Sequence, residues 1–131
     1  MKLVVDTSVI IAVLANEPAK KKLIKLTKGI ELIAPMSVHW EIGNAFSAML
    51  KRKKIDISKV IKAIQIYDSI SITFVDVELE ESLLIAEKLN IYAYDAYLIA
   101  CALKNHCQLI SLDNGLLLAA KNFGVKTLET E

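Results

Sequence analysis

The stretch LVVDTSVIIAVLA, residues 3–15, joins a strand pattern to a helix pattern through one acidic residue. LVV (3–5) is a short apolar run typical of a buried strand, and SVIIAVLANE (8–17) carries apolar residues at helical spacing. Asp6 lies between the two patterns, with apolar neighbours on both sides. A buried carboxylate without a partner is among the costliest groups in a folded protein, so we expect something to satisfy Asp6.

The alternation of strand and helix patterns continues along the chain. Further strand runs are ELIA (31–34), ITFV (72–75), QLISL (108–112) and VKTL (125–128). Further helical patterns are SVHWEIGNAFSAMLKRKK (37–54), SKVIKAIQIYDSI (58–70), ELEESLLIAEKLN (78–90), AYDAYLIACALKNH (93–106) and GLLLAAKNF (115–123). Ser37 and Ser58 stand where N-caps are expected, and Gly124 stands where the last helix should end. About five strands joined by helices predict an α/β fold with helices on both faces of a mostly parallel sheet.

Length and composition predict one compact domain over residues 1–131. Hydrophobic residues make up 54% of the chain, and only 4 Gly and 2 Pro interrupt it. Lys2 followed by the apolar run 9–15 looks like a signal peptide, but Asp6 interrupts it and the run is far too short to span a membrane. We therefore expect a soluble, cytoplasmic protein with no membrane partner. Cys101 and Cys107 lack the spacing of a zinc site and are expected to be reduced structural thiols.

The net charge of +1 gives no strong overall attraction to nucleic acid, but the basic residues are clustered. One cluster holds lysines 20, 21, 22, 25 and 28, and the other is Lys51, Arg52, Lys53 and Lys54. Such clusters are either solvated helix ends or contacts for RNA phosphates.

Two acids directly follow predicted strands, and two more lie near the start of predicted helices. Asp6 follows LVV and Asp113 follows QLISL, so parallel strands would bring both to one sheet edge. Glu41 and Asp95 stand among apolar neighbours in helices that would begin at that same edge. Taken one at a time, the three aspartates are also compatible with helix caps or a turn, and Glu41 with a surface position.

Four carboxylates in one crevice repel one another, and a divalent cation would remove that conflict. A set of oxygen ligands without Cys favours Mg²⁺ or Mn²⁺ over zinc. Such ions neutralise phosphate and position a water for in-line attack, so the pattern predicts phosphodiester hydrolysis without a Ser or Cys nucleophile. A phosphatase of the haloacid dehalogenase type is not favoured, since it needs a second acid where Ser8 stands.

The motifs VVDTSVI, HWEIGNAF, YAYDAYLIACAL and LISLDNGLLLAAKNFGVKTL resemble those of the PIN-domain family, and within it the VapC-type toxin ribonucleases. The resemblance covers nearly the whole chain. It implies a three-layer α/β/α sandwich with a central parallel sheet and a Mg²⁺- or Mn²⁺-dependent endoribonuclease. It also implies a homodimer, and inhibition by a small antitoxin protein.

Carried over by position, the resemblance assigns catalysis and metal binding to Asp6, Glu41, Asp95 and Asp113. It gives Ser8 and Asn44 supporting polar roles, although Ser8 alone is also compatible with a helix cap and Asn44 with an exposed surface residue. Many relatives carry a further charged residue after the last acid, whereas Asn114 and Gly115 follow Asp113 here.

The sequence therefore predicts an endoribonuclease that hydrolyses RNA phosphodiester bonds, as the toxin of a toxin–antitoxin pair. Its RNA contacts would include residues 51–54. The alternatives are an inactive PIN-like module that binds metal, RNA or a partner, and a housekeeping RNA-processing nuclease. Tyr92, Tyr94 and Tyr97 flank Asp95 and are expected to serve packing rather than base stacking.

Overall fold

A computed structural model describes residues 1–130 of the chain. The strands are β1 (Lys2–Val5), β2 (Glu31–Pro35), β3 (Ile72–Val75) and β4 (Gln108–Ile110). The helices are α1 (Thr7–Leu14), α2 (Lys20–Thr27), α3 (Met36–Lys51), α4 (Ile57–Ser69), α5 (Leu79–Leu89), α6 (Ala93–Lys104) and α7 (Asn114–Asn122). None of these helices is both long enough and apolar enough to cross a membrane.

The four strands form one parallel sheet in the order β3-β2-β1-β4. The chain moves across the sheet in one direction from β1 to β3 and then crosses back to place β4 beside β1. Right-handed crossovers therefore put α1 to α4 on one face and α5 and α6 on the other. The packing agrees, since α1 contacts α2, α3 and α4, whereas α5 packs against α6. The strand order reverses between β1 and β4, which is where ligands bind in open α/β sheets.

The core lies between the sheet and the two helical layers. Leu3, Val4 and Val5 of β1 are buried, as are Leu109 and Ile110 of β4. Helix α6 is buried at Ala96 and throughout 98–102, and its three buried alanines are small enough to let the helix lie close to β1, β2 and β4. This close packing positions the first turn of α6, which carries Asp95, over the carboxyl end of the sheet.

The parallel α/β fold is confirmed, but the expectation of about five strands is wrong. VKTL (125–128) forms only an isolated bridge, between Leu109 and Thr127. Two backbone hydrogen bonds hold it there, from Leu109 N to Lys126 O and from Leu128 N to Leu109 O. Because β4 is only three residues long, it offers this segment no ladder that would extend it into a strand.

Helix α2 was not predicted, and two of the three expected helix ends differ. Pro35 precedes α3, so Ser37 lies inside the helix rather than capping it. Asp56, not Ser58, caps α4, because its carboxylate accepts from the Lys59 N–H at 3.1 Å. Gly124 does follow the end of α7, with a φ of 83° that suits glycine.

Candidate active site

Asp6 lies at the end of β1 and is satisfied by two serine hydroxyls. Its carboxylate is only 7% exposed, and Oδ2 accepts hydrogen bonds from Ser8 Oγ and from Ser111 Oγ, both at 2.7 Å. Asp6 stands at the N-cap position of α1 but makes no side-chain cap. Its charge is therefore not used to start the helix, and the second oxygen, Oδ1, remains available to a ligand.

The same two serines tie Asp6 to the segment that follows β4. Ser8 Oγ accepts from the Leu112 N–H at 3.0 Å, and Ser111 Oγ accepts from the Asp113 N–H at 2.9 Å. Each hydroxyl therefore receives one backbone N–H and donates to the Asp6 carboxylate. This relay fixes the spacing between the ends of β1 and β4, and so between Asp6 and Asp113.

Asp113 caps α7 with one of its two carboxylate oxygens. Oδ1 accepts from the Gly115 N–H at 2.9 Å and from the Leu116 N–H at 3.3 Å. A Cβ at position 115 would lie 3.3 Å from this oxygen, so glycine avoids a tight contact with the capping carboxylate. Asp113 therefore has a structural role as a helix cap. Its carboxylate is nevertheless exposed, and Oδ2 remains available to another partner.

Glu41 on α3 and Asp95 on α6 face this corner, and their surroundings destabilise the ionised form of each carboxylate. Burial, followed by the negative charges of Asp6 and Asp95, raises the pKa of Glu41 to about 7. Burial, followed by the charges of Asp113 and Asp6, raises the pKa of Asp95 as well. The charges of two other acids therefore act on Glu41, and those of two others act on Asp95. All four predicted acids thus belong to one electrostatic cluster.

This cluster has the donor chemistry of a hard-cation site. Glu41 Oε1 is buried without a hydrogen-bond partner, and the repulsion among the acids is what a divalent cation would remove. Within residues 1–130, no three Asp, Glu, His or Cys side chains converge tightly enough to enclose an ion. An Mg²⁺ or Mn²⁺ ion held by these acids would therefore have few carboxylate ligands and would complete its coordination with water.

The remaining predicted residues lie in different places. Ser8 belongs to the corner through its bond to Asp6, whereas Asn44 is exposed on α3. Lys51, Arg52, Lys53 and Lys54 are exposed at the far end of α3. Ten residues of helix separate Lys51 from Glu41, or about 15 Å along the axis.

Ser111 is the residue that the sequence did not single out. It is fully buried and bridges Asp6 and the Asp113 backbone. The sequence does carry an indication of it in QLISL, where a serine interrupts the apolar run of a predicted strand two positions before an acid.

Comparisons with known proteins agree with the fold. The family model described as PIN domain matches residues 3–122. No curated protein sequence matches the chain. Among solved structures, PAE2754 from Pyrobaculum aerophilum is similar with a TM-score of 0.75 and 24% identity, over 99% of this chain and 85% of that one.

Two further similar structures contain toxins. VapC20 of Mycobacterium tuberculosis, described as a sarcin-ricin loop cleaving toxin, has a TM-score of 0.65 and 18% identity, covering 89% of this chain and 94% of its own. A toxin–antitoxin complex from Klebsiella pneumoniae gives 0.60 and 13%, covering 88% and 89%. At these identities the likeness concerns the fold, whereas the family model covers most of the sequence, and we conclude that the chain belongs to the PIN domain family.

Proposed function

We propose that this protein is a Mg²⁺- or Mn²⁺-dependent endoribonuclease and the toxin of a toxin–antitoxin pair. The observation that carries the proposal is Glu41, a half-buried carboxylate with an unpartnered oxygen and a pKa near 7, beside Asp6 and Asp95. A carboxylate whose ionised form is destabilised by burial and by two neighbouring acids is a group that a divalent cation would stabilise. Similar structures described as a toxin and as a toxin–antitoxin complex support the same assignment.

Each acid has a separate role in this proposal. Asp6, Asp95 and Asp113 would hold the divalent ion, directly or through water, and Glu41 would complete the site. A bound ion would neutralise charge on the phosphate and lower the pKa of a water that it holds. Glu41 would orient a water at the acid cluster and take one of its protons. That water would attack phosphorus as the bond to the leaving ribose oxygen breaks, and the leaving oxygen would gain a proton from solvent.

Metal-dependent cleavage by the purified chain tests the proposal. Mixed cellular RNA incubated with Mn²⁺ should be cut, and the same RNA in chelator should stay intact. Asp6→Asn should abolish both cleavage and tight Mn²⁺ binding, while Asp68→Asn, an exposed carboxylate on α4, should cleave normally. An Asp6→Asn protein as active as wild type would refute the assignment. A wild-type protein that binds Mn²⁺ without cutting RNA would favour the inactive binding module.

We propose that the basic residues 51–54 guide the RNA strand towards the acids. All four are exposed, and their distance of about 15 Å from Glu41 corresponds to a few nucleotides of single strand. Lys53→Gln with Lys54→Gln should weaken RNA binding and make its salt dependence shallower. The log–log slope should change by about 0.7 for each phosphate that the variant no longer neutralises. An unchanged slope would show that these lysines are merely solvated.

We also propose that an apolar groove on the α1 face receives the antitoxin. The groove has a cavity volume of about 390 Å³, and its walls include Val9, Val13, Leu23, Ile24 and Ile66 from α1, α2 and α4. Ile24 and Ile66 are about half exposed, at 49% and 52%. Lys20 lines this groove and α2 carries three further lysines, so the complementary partner is an apolar segment with acidic flanks.

Co-expression with the product of any small open reading frame that adjoins this gene tests the partner. We expect expression of this chain alone to arrest growth and co-expression to restore it. Ile24→Asp with Ile66→Asp should stay toxic but escape rescue, whereas Leu118→Asp, exposed on α7, should be rescued. Equal rescue of both variants would rule out the groove, and a chain without toxicity would favour a housekeeping nuclease. The homodimer stays a prediction.

A further inference from the structure

A second cavity, of about 240 Å³, lies at the carboxyl ends of β2 and β3. Its walls include Pro35, Met36, Ser37, Val75, Asp76 and Tyr97. Two of the helices that supply the acids contribute to it, because Ser37 lies on α3 with Glu41 and Tyr97 lies on α6 with Asp95. None of the four acids lines the cavity, but cavity and acids share the carboxyl edge of the sheet.

Ser37 supplies an unsatisfied polar atom in this wall. Its Oγ is buried and has no hydrogen-bond partner, as is also true of Glu41 Oε1. Four residues separate Ser37 from Glu41, so the two side chains lie on one face of α3, one turn apart. Buried polar atoms are normally hydrogen-bonded, so the Ser37 hydroxyl has the capacity to bond a water or the polar edge of a ligand in this cavity.

The rest of the wall suits a flat heterocycle better than a phosphate. Within the described chain, the cavity lining carries no Lys or Arg, and its single charged group is the exposed carboxylate of Asp76. Val75, Val77 and the half-buried Tyr97 supply apolar and aromatic surface. A phosphate would be repelled by Asp76, whereas a nucleobase can pack on the apolar wall and donate N–H bonds to the carboxylate.

The backbone around Asp76 is held in place from α6. Lys104 Nζ donates to the Asp76 carbonyl oxygen at 3.0 Å and lies 3.7 Å from Glu78 Oε1. This anchor fixes the connection between β3 and α5, so the Asp76 side chain starts from a defined position at the cavity rim.

We propose that this cavity binds the nucleobase of a nucleotide adjacent to the cleaved phosphodiester and selects guanine. The inference rests on the proposed function, since RNA is the source of the base. Guanine presents two adjacent donors, N1–H and the N2 amino group, which match the two oxygens of a carboxylate. Uracil presents one N–H between two carbonyl oxygens, which the Asp76 carboxylate would repel. The Ser37 hydroxyl donates to a ring or carbonyl acceptor of the base.

Binding and cleavage measured separately test this selection. Fluorescein-labelled UUUGUUU, UUUAUUU, UUUCUUU and UUUUUUU are titrated by anisotropy with Ca²⁺ present, and their cleavage is followed in Mn²⁺. We expect the guanine oligonucleotide to bind about tenfold tighter than the all-uracil one. Asp76→Asn should remove this preference, and Ser37→Ala should reduce it about threefold. Asp68→Asn, which removes an exposed carboxylate from α4, should keep it.

The two proposals fail in distinguishable ways. Equal affinity for the four oligonucleotides, or a guanine preference that survives Asp76→Asn, overturns the base site even if Mn²⁺-dependent cleavage is vigorous. A preference that Asp76→Asn removes, in a protein that cuts no RNA, upholds the base site and overturns the nuclease. Because the Ser37 hydroxyl has no partner to lose, Ser37→Ala should fold normally and report on binding alone.

Discussion

The two halves of the acid cluster differ in how the protein satisfies them. At the β1–β4 corner, Asp6 accepts two hydroxyl hydrogen bonds and Asp113 caps α7. On α3 and α6, Glu41 keeps an unpartnered buried oxygen, and the pKa values of Glu41 and Asp95 are both raised. The chain completes the first half by itself and leaves the second in need of positive charge. A corner fixed by hydrogen bonds therefore faces two acids whose ionised forms are destabilised.

Breaking the rigid half should have the largest effect. Ser111→Ala removes one donor from Asp6 and leaves the Asp113 N–H without its acceptor. Removing a partner that orients a metal ligand typically costs 10- to 100-fold in activity, and we expect a loss of about that size. The orphaned N–H should also lower the free energy of unfolding by about 1–3 kcal/mol. RNA cleavage rates and chemical denaturation measure the two effects.

The matched control for Ser111→Ala is Ser47→Ala on α3. Ser47 is exposed, and its hydroxyl donates only to the Asn44 carbonyl one turn earlier. We expect this control to change neither quantity appreciably. Wild-type cleavage by a folded Ser111→Ala protein would show that the corner does not need its serine relay.

Titration of the strained half should appear in metal binding. Glu41, with a pKa near 7, is mostly protonated at pH 6 and mostly ionised at pH 8. Because a carboxylate must lose its proton to bind an ion, Mn²⁺ affinity should rise about tenfold over that interval. Calorimetry in buffers of different ionisation enthalpy should also detect proton release. Glu87→Gln, exposed on α5, should keep this dependence, and its survival in Glu41→Gln would assign it to another group.

The same group should govern the stability of the metal-free protein. The folded-state pKa of Glu41 is raised above its ordinary value of 4.5, so its contribution is fully present below pH 4.5 and is lost as the pH rises through 7. In chelator at pH 8, Glu41→Gln should therefore be more stable than wild type, by about 1 kcal/mol after allowing for partial solvent exposure. The difference should shrink towards pH 5. Destabilisation by Glu41→Gln at pH 8 would contradict strain at this position.

The acids were predictable because their places follow from topology. Parallel strands end at one edge, so acids that follow two strands lie there, as Asp6 does directly after β1 and Asp113 does three residues beyond the end of β4. Ser111 was missed because a single polar residue in a strand has many ordinary explanations, and its two partners lie on different parts of the chain. Hydrogen-bond relays of this kind depend on register, which pattern alone does not supply.

The two errors in the predicted fold also have physical causes. Helix α2 was missed because KKKLIKLT contains four lysines and only Leu23 is buried, so the lysines dominate the sequence pattern although the apolar residues share one side of the helix. The segment 125–128 is rich in residues typical of strands, although a strand exists only where a neighbour can pair with it. In this second case tertiary contacts outweighed local sequence preference.

The smallest expected effect concerns the cap that holds Asp113. Gly115→Ala would place a Cβ 3.3 Å from Asp113 Oδ1, so the carboxylate must shift by a few tenths of an ångström. The gain in helix propensity, at most about 1 kcal/mol, should be offset by the weakened cap, and cleavage should fall only a few-fold. Gly43→Ala on α3, whose Cβ meets nothing within 4 Å, should show the full gain. If thermal denaturation shows equal stabilisation for both variants, Asp113 is free to move and the corner is less rigid than its hydrogen bonds indicate.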